Sequence, residues 1–298
     1  MELLIIGGTG FFGKSILESF QRGLLGPYGI DSVIVGARNI ESFQKDFPEL
    51  INPGVKVIKM DMSTVSELPH ADIVIHAAAS TDARDYKANP NGEKRNIEQS
   101  TTNYCQLAQR YHRASEIVYC SSGAVYGQQP EDLEKMDEDF QPQDVSNLIE
   151  YKRDYALGKR NAEKEIIKLG SLGLNVSIAR CFAFHGKYLP RDQHFAYGNF
   201  IAAAERSEAI EVKANHRVVR SYMHADDLVD SLMRIALQSS PQCPIFNVGS
   251  DKAIEIRDLA NQLGQQYNVP VNIAPITSDK IDRYVPNTDK LKRLNNTL

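Results

Sequence analysis

Apolar residues follow two alternating rhythms along the first 180 positions. Short unbroken apolar runs occupy Glu2–Ile6, Ser32–Gly36, Val55–Met60, Asp72–His76, Glu116–Cys120 and Asn175–Arg180. Between them lie longer stretches with apolar positions three or four apart, notably Gly10–Arg22, Glu93–Arg113 and Glu150–Leu169. A short continuous run fits a strand buried on both faces, and the spaced pattern fits an amphipathic helix. Their alternation predicts an α/β fold with a doubly wound parallel sheet. After Arg180 the rhythm breaks. Residues 181–225 and 245–298 are irregular, polar and aromatic, interrupted by helical patterns near Phe195–Arg206, His224–Gln238 and Ile256–Tyr267. They predict a smaller C-terminal lobe, interleaved with the sheet and covering the carboxyl ends of its strands. The acidic stretch Gln128–Asn147, with two prolines, is expected to be a surface loop rather than a linker.

Composition narrows the class. The chain has 298 residues, 42% hydrophobic and 24% charged, which suits one large soluble domain or a domain plus a lobe. A net charge of −4 and a pI near 6.0 lack the basic footprint of a nucleic-acid binder. Cys105, Cys120, Cys181 and Cys243 form no Cys-x-x-Cys pair, so neither a disulfide framework nor a metal site is expected. No apolar run approaches the ~18 residues of a membrane span, and the N-terminus has no signal-peptide pattern. A cytoplasmic protein with neither membrane nor nucleic acid as partner is the expectation.

The chemistry begins at the first strand–helix junction, Gly7-Gly8-Thr9-Gly10-Phe11-Phe12-Gly13. One glycine of Gly8-x-Gly10-x-x-Gly13 makes the tight turn, one admits a pyrophosphate to the backbone, and one lets the helix pack on its strand. The helix start then offers free N–H groups to phosphates. In this position the motif predicts a Rossmann-type dinucleotide site. The dinucleotide-binding domain is expected over 1–180 together with about 225–245, and the substrate lobe over 181–224 and 246–298. The second strand ends Gly36-Ala37-Arg38 with no carboxylate. An acidic residue there would bind the ribose of NAD, whereas an arginine accommodates the 2′-phosphate of NADP. NADP is therefore favoured, with NAD as the alternative, and with Arg38 as a solvated loop residue the plainer reading. Asp61, past the third strand, either accepts a hydrogen bond from the adenine or caps a helix beginning near Ser63. The small residues after His76, Ala77-Ala78-Ala79, allow a cofactor's close approach or simply pack.

Tyr155 and Lys159 lie one helical turn apart and share a face. With 13 Tyr and 17 Lys in the chain, chance alone supplies about 0.7 such pairs. The pair gains meaning from its position, behind the glycine turn and with Ser122 at the end of the fifth strand. A phenol near pKa ~10 is a poor base, and a neighbouring ammonium lowers that value. Tyr155 would move a proton to or from a substrate oxygen, Ser122 would hydrogen-bond the same oxygen, and Lys159 would support the phenolate and hold the nicotinamide ribose.

These motifs resemble the extended short-chain dehydrogenase/reductases, specifically the NAD(P)-dependent nucleotide-sugar epimerase/dehydratase group. The likeness adds Asn96, Ser121-Ser122-Gly123-Ala124-Val125-Tyr126-Gly127, Arg180 and Arg220-Ser221-Tyr222-Met223-His224-Ala225-Asp226-Asp227. It implies a cofactor lined by Gly7, Gly10, Phe11, Phe12, Gly13, Met62, Ala77 and Ala78. It implies a nucleoside-diphosphate sugar between the lobes, with Arg220 on its diphosphate and Asn199 lining the nucleotide site. It also implies a homodimer joined through the helices of Glu93–Arg113 and Glu150–Leu169. An ion pair of Arg220 with Asp226 or Asp227 is the competing reading.

Departures refine the reaction. Family dehydratases place Asp and Glu directly after the position of Ser122. Here stand Gly123 and Ala124, which argues against 4,6-dehydration. Ala183 replaces an asparagine that binds substrate phosphate in many relatives, and the loop Lys187–His194 is the expected substitute. His185 and His194 are either catalytic extras or ordinary loop histidines. A short or missing terminal helix is expected. The favoured activity is a 4-ketoreductase acting on a nucleoside-diphosphate sugar. The alternatives are a redox-neutral 4-epimerase and a non-enzymatic NAD(P)-binding sensor.

Overall fold

Alternate residues of the first strand face opposite sides of the sheet, and both sides are apolar. Leu3 and Ile5 enter one core cluster while Leu4 and Ile6 enter another. This double burial explains why the strand shows no polar alternation. The structure, a computed structural model, describes residues 1–79, 83–191, 193 and 195–294. Its strands are β1 (Glu2–Ile6), β2 (Ser32–Ala37), β3 (Val55–Lys59), β4 (Ile73–His76), β5 (Glu116–Ser122), β6 (Asn175–Cys181), β7 (Phe184–His185), β8 (Ile210–Val212), β9 (Arg217–Arg220), β10 (Met223–His224), β11 (Ile245–Val248), β12 (Ile254–Glu255), β13 (Val271–Ile273) and β14 (Ile281–Tyr284). Its helices are α1 (Phe11–Gln21), α2 (Ile40–Asp46), α3 (Ala83–Ala88), α4 (Pro90–Tyr111), α5 (Glu150–Ser171), α6 (Ala196–Glu205), α7 (Ala225–Ala236), α8 (Ile256–Tyr267) and α9 (Asp289–Leu294).

The seven-stranded sheet has the order β11-β6-β5-β4-β1-β2-β3 and is parallel throughout. Strand order reverses at β1, between β2 and β4, and such a switch point opens a crevice at the carboxyl ends of the strands. The first-face cluster joins residues of α1 and α7 to the sheet. The other face carries Ile97, Tyr104 and Ala108 of α4 with Ala162, Ile166 and Leu169 of α5. Helices α4 and α5 pack on each other: Asn161 donates to Glu98 at 2.7 Å.

The lobe is built from short paired strands. Two smaller sheets carry it, β12-β9-β14 and β13-β8, and β10 pairs with β7 beside them. Helices α6 and α8 share an apolar cluster with β8. The last described helix, α9, runs from Asp289 to Leu294.

Two expectations change. Residues 245–248 form β11, the seventh sheet strand, although the sequence there reads as irregular. Four residues bounded by Pro244 and Gly249 are too few to set a period; pairing with β6 makes the strand. No helix starts near Ser63. Residues 62–64 form a turn, in which Asp61 accepts from the backbone N–H and the hydroxyl of Ser63. The 128–147 segment is a surface loop, as expected, anchored by the buried Gln129, Met136 and Val145. Its Gln129 side chain accepts from the Val285 N–H at 2.9 Å, strapping the loop to the end of β14.

Candidate active site

The glycine turn closes against the neighbouring strand. Gly7 has φ +84°, and a Cβ there would lie 2.7 Å from the Ala78 Cα. The left-handed turn residue is thus Gly7, one position before the Gly-x-Gly-x-x-Gly motif. A Cβ on Gly13 would lie 2.1 Å from the Gly8 carbonyl, so only glycine lets α1 seat on β1. By contrast, a Cβ on Gly10, which precedes the first turn of α1, would meet only the Gly7 carbonyl at 3.5 Å. The backbone there is open to an approaching group. Phe11 and Phe12 pack edge-on to each other at 5.9 Å, and Phe12 meets Phe184 at 5.3 Å. Ala77 and Ala78 are half-buried at the end of β4. This cradle fits a dinucleotide: open backbone, a helix start and small walls.

Other sequence-selected cofactor residues vary in placement. Arg38 is exposed at the end of β2. It is one of the groups holding the Asp61 carboxyl below its ordinary value, after the hydrogen bonds from Ser63. Met62 is buried in the apolar cluster, and its carbonyl accepts from Asn103 at 2.9 Å.

Sheet and helix bring Ser122, Tyr155 and Lys159 together. Ser122 ends β5 and accepts the Ala124 N–H at 3.2 Å. The charge of Lys159 and the side chain of Ser122 both act on the Tyr155 phenol, each pulling its pKa down. Lys159 is buried; its ammonium donates to the Cys120 carbonyl at 2.8 Å and to the Tyr119 hydroxyl at 3.4 Å. Lys159 lowers the Tyr155 pKa as expected, but in the cofactor-free chain burial outweighs Lys159 and Ser122, and the net direction is up. Taking a phenolate out of water costs more than one ammonium and one hydroxyl return. His76 lies beside Lys159, with its pKa pushed down to about 3 by burial and then by that ammonium. It is a neutral imidazole that adds no charge.

A buried polar network fixes this catalytic edge from behind. Glu163 accepts from Ser121 at 2.6 Å and pairs twice with Arg180, at 3.0 and 2.8 Å. Arg180 lies over the Tyr126 ring at 4.7 Å and donates to the Glu138 carbonyl. Tyr126 in turn donates to Asn247 of β11 at 2.7 Å. The sequence reading missed Glu163, yet a signal existed: Tyr155, Lys159 and Glu163 recur every four residues on one helix face.

The lobe contributes a second group. Parallel pairing sets Arg220 of β9 opposite Tyr284 of β14. Arg220 pairs with Asp282 at 2.9 Å. The competing reading named other partners; Asp226 instead pairs with Arg22 at 2.8 Å. Burial pushes the Asp282 carboxyl up, but Arg220, aided by Lys152 and Lys280, brings it below its ordinary value. Tyr284 stacks on Phe182 at 4.6 Å, and burial raises its pKa against the opposing pull of Ser122 and Arg220. It was missed as a site residue because only the pairing of strands 60 residues apart brings it there.

Asn199 is exposed on α6 and donates to the Gln193 carbonyl at 2.7 Å. His185 stacks on Tyr197 at 4.9 Å and meets His224 at 5.1 Å. Its pKa is lowered by burial and by His224, which places it in an aromatic cluster of the lobe. His194 lies outside the described residues. The four cysteines are free and buried. Among the described residues there is no cluster able to hold a metal, and no helix is long and apolar enough to cross a membrane.

A model of the NAD dependent epimerase/dehydratase family matches residues 3–249. The chain belongs to this family. Its members are short-chain dehydrogenase/reductase enzymes of the extended type. UDP-glucuronic acid decarboxylase 5 of Arabidopsis thaliana is 27% identical over 303 residues, covering 99% of this chain and 83% of the relative. ADP-L-glycero-D-manno-heptose-6-epimerase of Brachyspira hyodysenteriae is 23% identical over 280 residues, covering 89% and 81%. Among solved structures, dTDP-glucose 4,6-dehydratase of Streptomyces venezuelae with NAD bound superposes with a TM-score of 0.80 at 20% identity, covering 98% of this chain and 90% of that one. UDP-glucose 4-epimerase of Thermus thermophilus, in complex with NAD, gives 0.75 at 20% identity, covering 99% and 93%. These structural likenesses are of fold. Within that family fold, Gly123 is buried beneath two aromatic rings: a Cβ there would lie 2.6 Å from the Tyr284 hydroxyl and 2.8 Å from the Phe182 ring.

Proposed function

We propose that this enzyme reduces a ketone at C4 of a nucleoside-diphosphate sugar, using NADPH in preference to NADH. The observation carrying this reading is that α5 holds Tyr155 one turn from Lys159, which is bonded to the Cys120 carbonyl of the strand that Ser122 ends, in a setting whose net effect keeps the phenol protonated. A protonated phenol is a general acid, and ketone reduction needs a proton delivered to the carbonyl oxygen. A bound nicotinamide dinucleotide supplies the hydride. Tyr155 gives its proton to the oxygen, Ser122 hydrogen-bonds that oxygen, and the Lys159 charge steadies the phenolate left behind. Phe182 and Tyr284 close the wall over Gly123. Gly123 and Ala124 offer no acid or base for eliminating water.

Arg38 at the end of β2 supports NADPH through its planar fork and fixed charge. Arg220, half-buried at the junction of lobe and sheet domain, supports binding of the sugar diphosphate. The relatives named as UDP-glucuronic acid decarboxylases favour a second reading. Hydride transfer from C4 of a uronic acid to an oxidised nicotinamide would yield a β-keto acid, which loses CO2 to leave an enolate that takes up a proton at C5. A panel of nucleotide sugars, their 4-keto-6-deoxy forms and UDP-glucuronic acid, assayed with NADPH and NADH, tests both. Oxidation of NADPH only with keto-sugars supports reduction. Interconversion of isomers, or CO2 release without net cofactor oxidation, overturns it.

A further inference from the structure

We propose that Ser121 is a positioning residue: through its bond to Glu163 it sets where the Ser122 hydroxyl stands at the sheet edge. The proposal deepens the reading above and rests on its assignment of Ser122 to the substrate oxygen.

Side chains alternate along β5. Ile117 and Tyr119 enter the cluster beneath α4 and α5, whereas Val118 and Cys120 enter the cluster on the opposite face. By the same alternation Ser121 faces α5 and Ser122 faces away from it. Tyr155 belongs to α5 and packs against the α4–α5 cluster. Ser122 and Tyr155 can therefore share one substrate oxygen only over the end of the sheet. How β5 projects past α5 decides whether they do.

The strand needs help there. Its pairing with β4 ends at His76 opposite Tyr119, so Cys120, Ser121 and Ser122 are paired to β6 alone. Helix α5 replaces the missing neighbour with two bonds, one to each residue before Ser122. The Lys159 ammonium donates to the Cys120 carbonyl at 2.8 Å, and the Ser121 hydroxyl donates to Glu163 at 2.6 Å. Lys159 and Glu163 lie one helical turn apart, so the two bonds come from consecutive turns of one face. A bond to the Cys120 carbonyl alone would leave the strand end free to roll. The Ser121 bond, one residue further and made to a side chain, stops the roll.

Its acceptor is itself fixed. Arg180, opposite Ser121 on β6, donates to both Glu163 oxygens, at 3.0 and 2.8 Å. Ser121, Glu163 and Arg180 are all buried. A short hydroxyl bond to a carboxylate is stronger and more directional than one between neutral groups. Ser122 stays available for chemistry. It accepts the Ala124 N–H at 3.2 Å and keeps its proton and a second lone pair for the substrate oxygen.

The first test needs no substrate. Because Ser122 is the acceptor of the Ala124 amide, hydrogen exchange of that amide, followed by magnetic resonance in the intact enzyme, reports where the serine oxygen stands. Ser121→Ala leaves the Glu163–Arg180 pair whole and should speed Ala124 exchange about tenfold. The Gly127 amide, bonded to the Ala124 carbonyl at 3.1 Å in the same turn, should keep its rate. The second test uses whichever nucleotide sugar the panel shows to be turned over. Ser121→Ala should lower kcat about tenfold and change KM less than about twofold. In a Ser122→Ala background it should lower kcat no further. Should Ser121→Ala fail to fold, Ser121→Cys keeps the volume with a weaker donor and should give the same changes at smaller size. An unchanged Ala124 rate in whichever variant folds overturns the proposal. So does equal acceleration at Gly127, which would mean a loosened turn, or a kcat loss that persists without Ser122. Faster Ala124 exchange with no keto-sugar reduced would refute the proposed reaction and leave the role of Ser121 standing.

Discussion

The two halves of the candidate site are held by different physics. On the sheet side, Ser122 and Lys159 sit on β5 and α5, backed by a pair, Glu163 and Arg180, with side chains only 7% and 9% exposed. On the lobe side, Arg220 and Tyr284 sit on strands of four residues, fastened by an Arg220–Asp282 pair exposed 22% and 37%. A buried pair is costly to break because the surviving charge is stranded without water. A half-exposed pair is backed by solvent and contributes little. The contrast would suit the proposed division of labour, with the rigid half for proton chemistry and the softer half for binding.

The largest effect should come from the rigid half. Replacing Tyr155 by Phe removes the proton donor and leaves the ring. We expect kcat to fall by about 10²–10⁴, with the cofactor Kd unchanged within about twofold in a fluorescence titration, because the glycine cradle lies on another part of the sheet edge. Activity within a few-fold of the parent would remove Tyr155 from the chemistry.

Stability should separate the halves next. Glu163→Gln strands Arg180 in the core and should cost about 3–5 kcal/mol in denaturant unfolding. Asp282→Asn should cost less than about 1 kcal/mol while raising the KM for the nucleotide sugar. Equal losses of stability would erase the distinction between the halves.

The same distinction decides what the sequence could show. The sheet side was legible because its signals are local: an apolar run, a glycine turn, a helix face repeating at four residues. Even Glu163 lay on that face, one turn past Lys159. The lobe side was not, because Tyr284 and Asp282 reach the site through pairing of β14 with β9, and no local period marks that register. The seventh strand, β11, was hidden for the same reason. The raised pKa of Tyr155 also escaped the sequence, since charge spacing along a helix is visible there and burial is not. The partners of Arg220 were sought among its neighbours in sequence, Asp226 and Asp227, and found across a sheet.

A smaller effect concerns the cofactor. If Arg38 grips a 2′-phosphate, Arg38→Ala should weaken NADPH about tenfold relative to NADH, or ~1.4 kcal/mol. The change should shrink at high salt, because the arginine is exposed and its interactions are screened. An enzyme that binds the two cofactors equally before substitution would contradict this assignment at once.

The smallest expected change is an absence of one, and it bears on how the rigid half works. Burial, opposed by Lys159 and Ser122, leaves Tyr155 above its ordinary value. A group whose pKa is raised stays protonated throughout the neutral range, so the acid needed for reduction is fully present there. We therefore expect kcat for keto-sugar reduction to vary by less than about twofold between roughly pH 6 and 8. It should fall only as the alkaline side approaches the phenol's own titration. A phenol depressed to near neutrality would instead lose about tenfold in kcat for each pH unit above its pKa. Measuring kcat against pH at saturating keto-sugar and NADPH distinguishes the two. The same measurement in Lys159→Met should move the limb higher still, because removing the ammonium leaves burial less opposed. A limb that moved lower would mean that Lys159 acts on the phenol by something other than its charge.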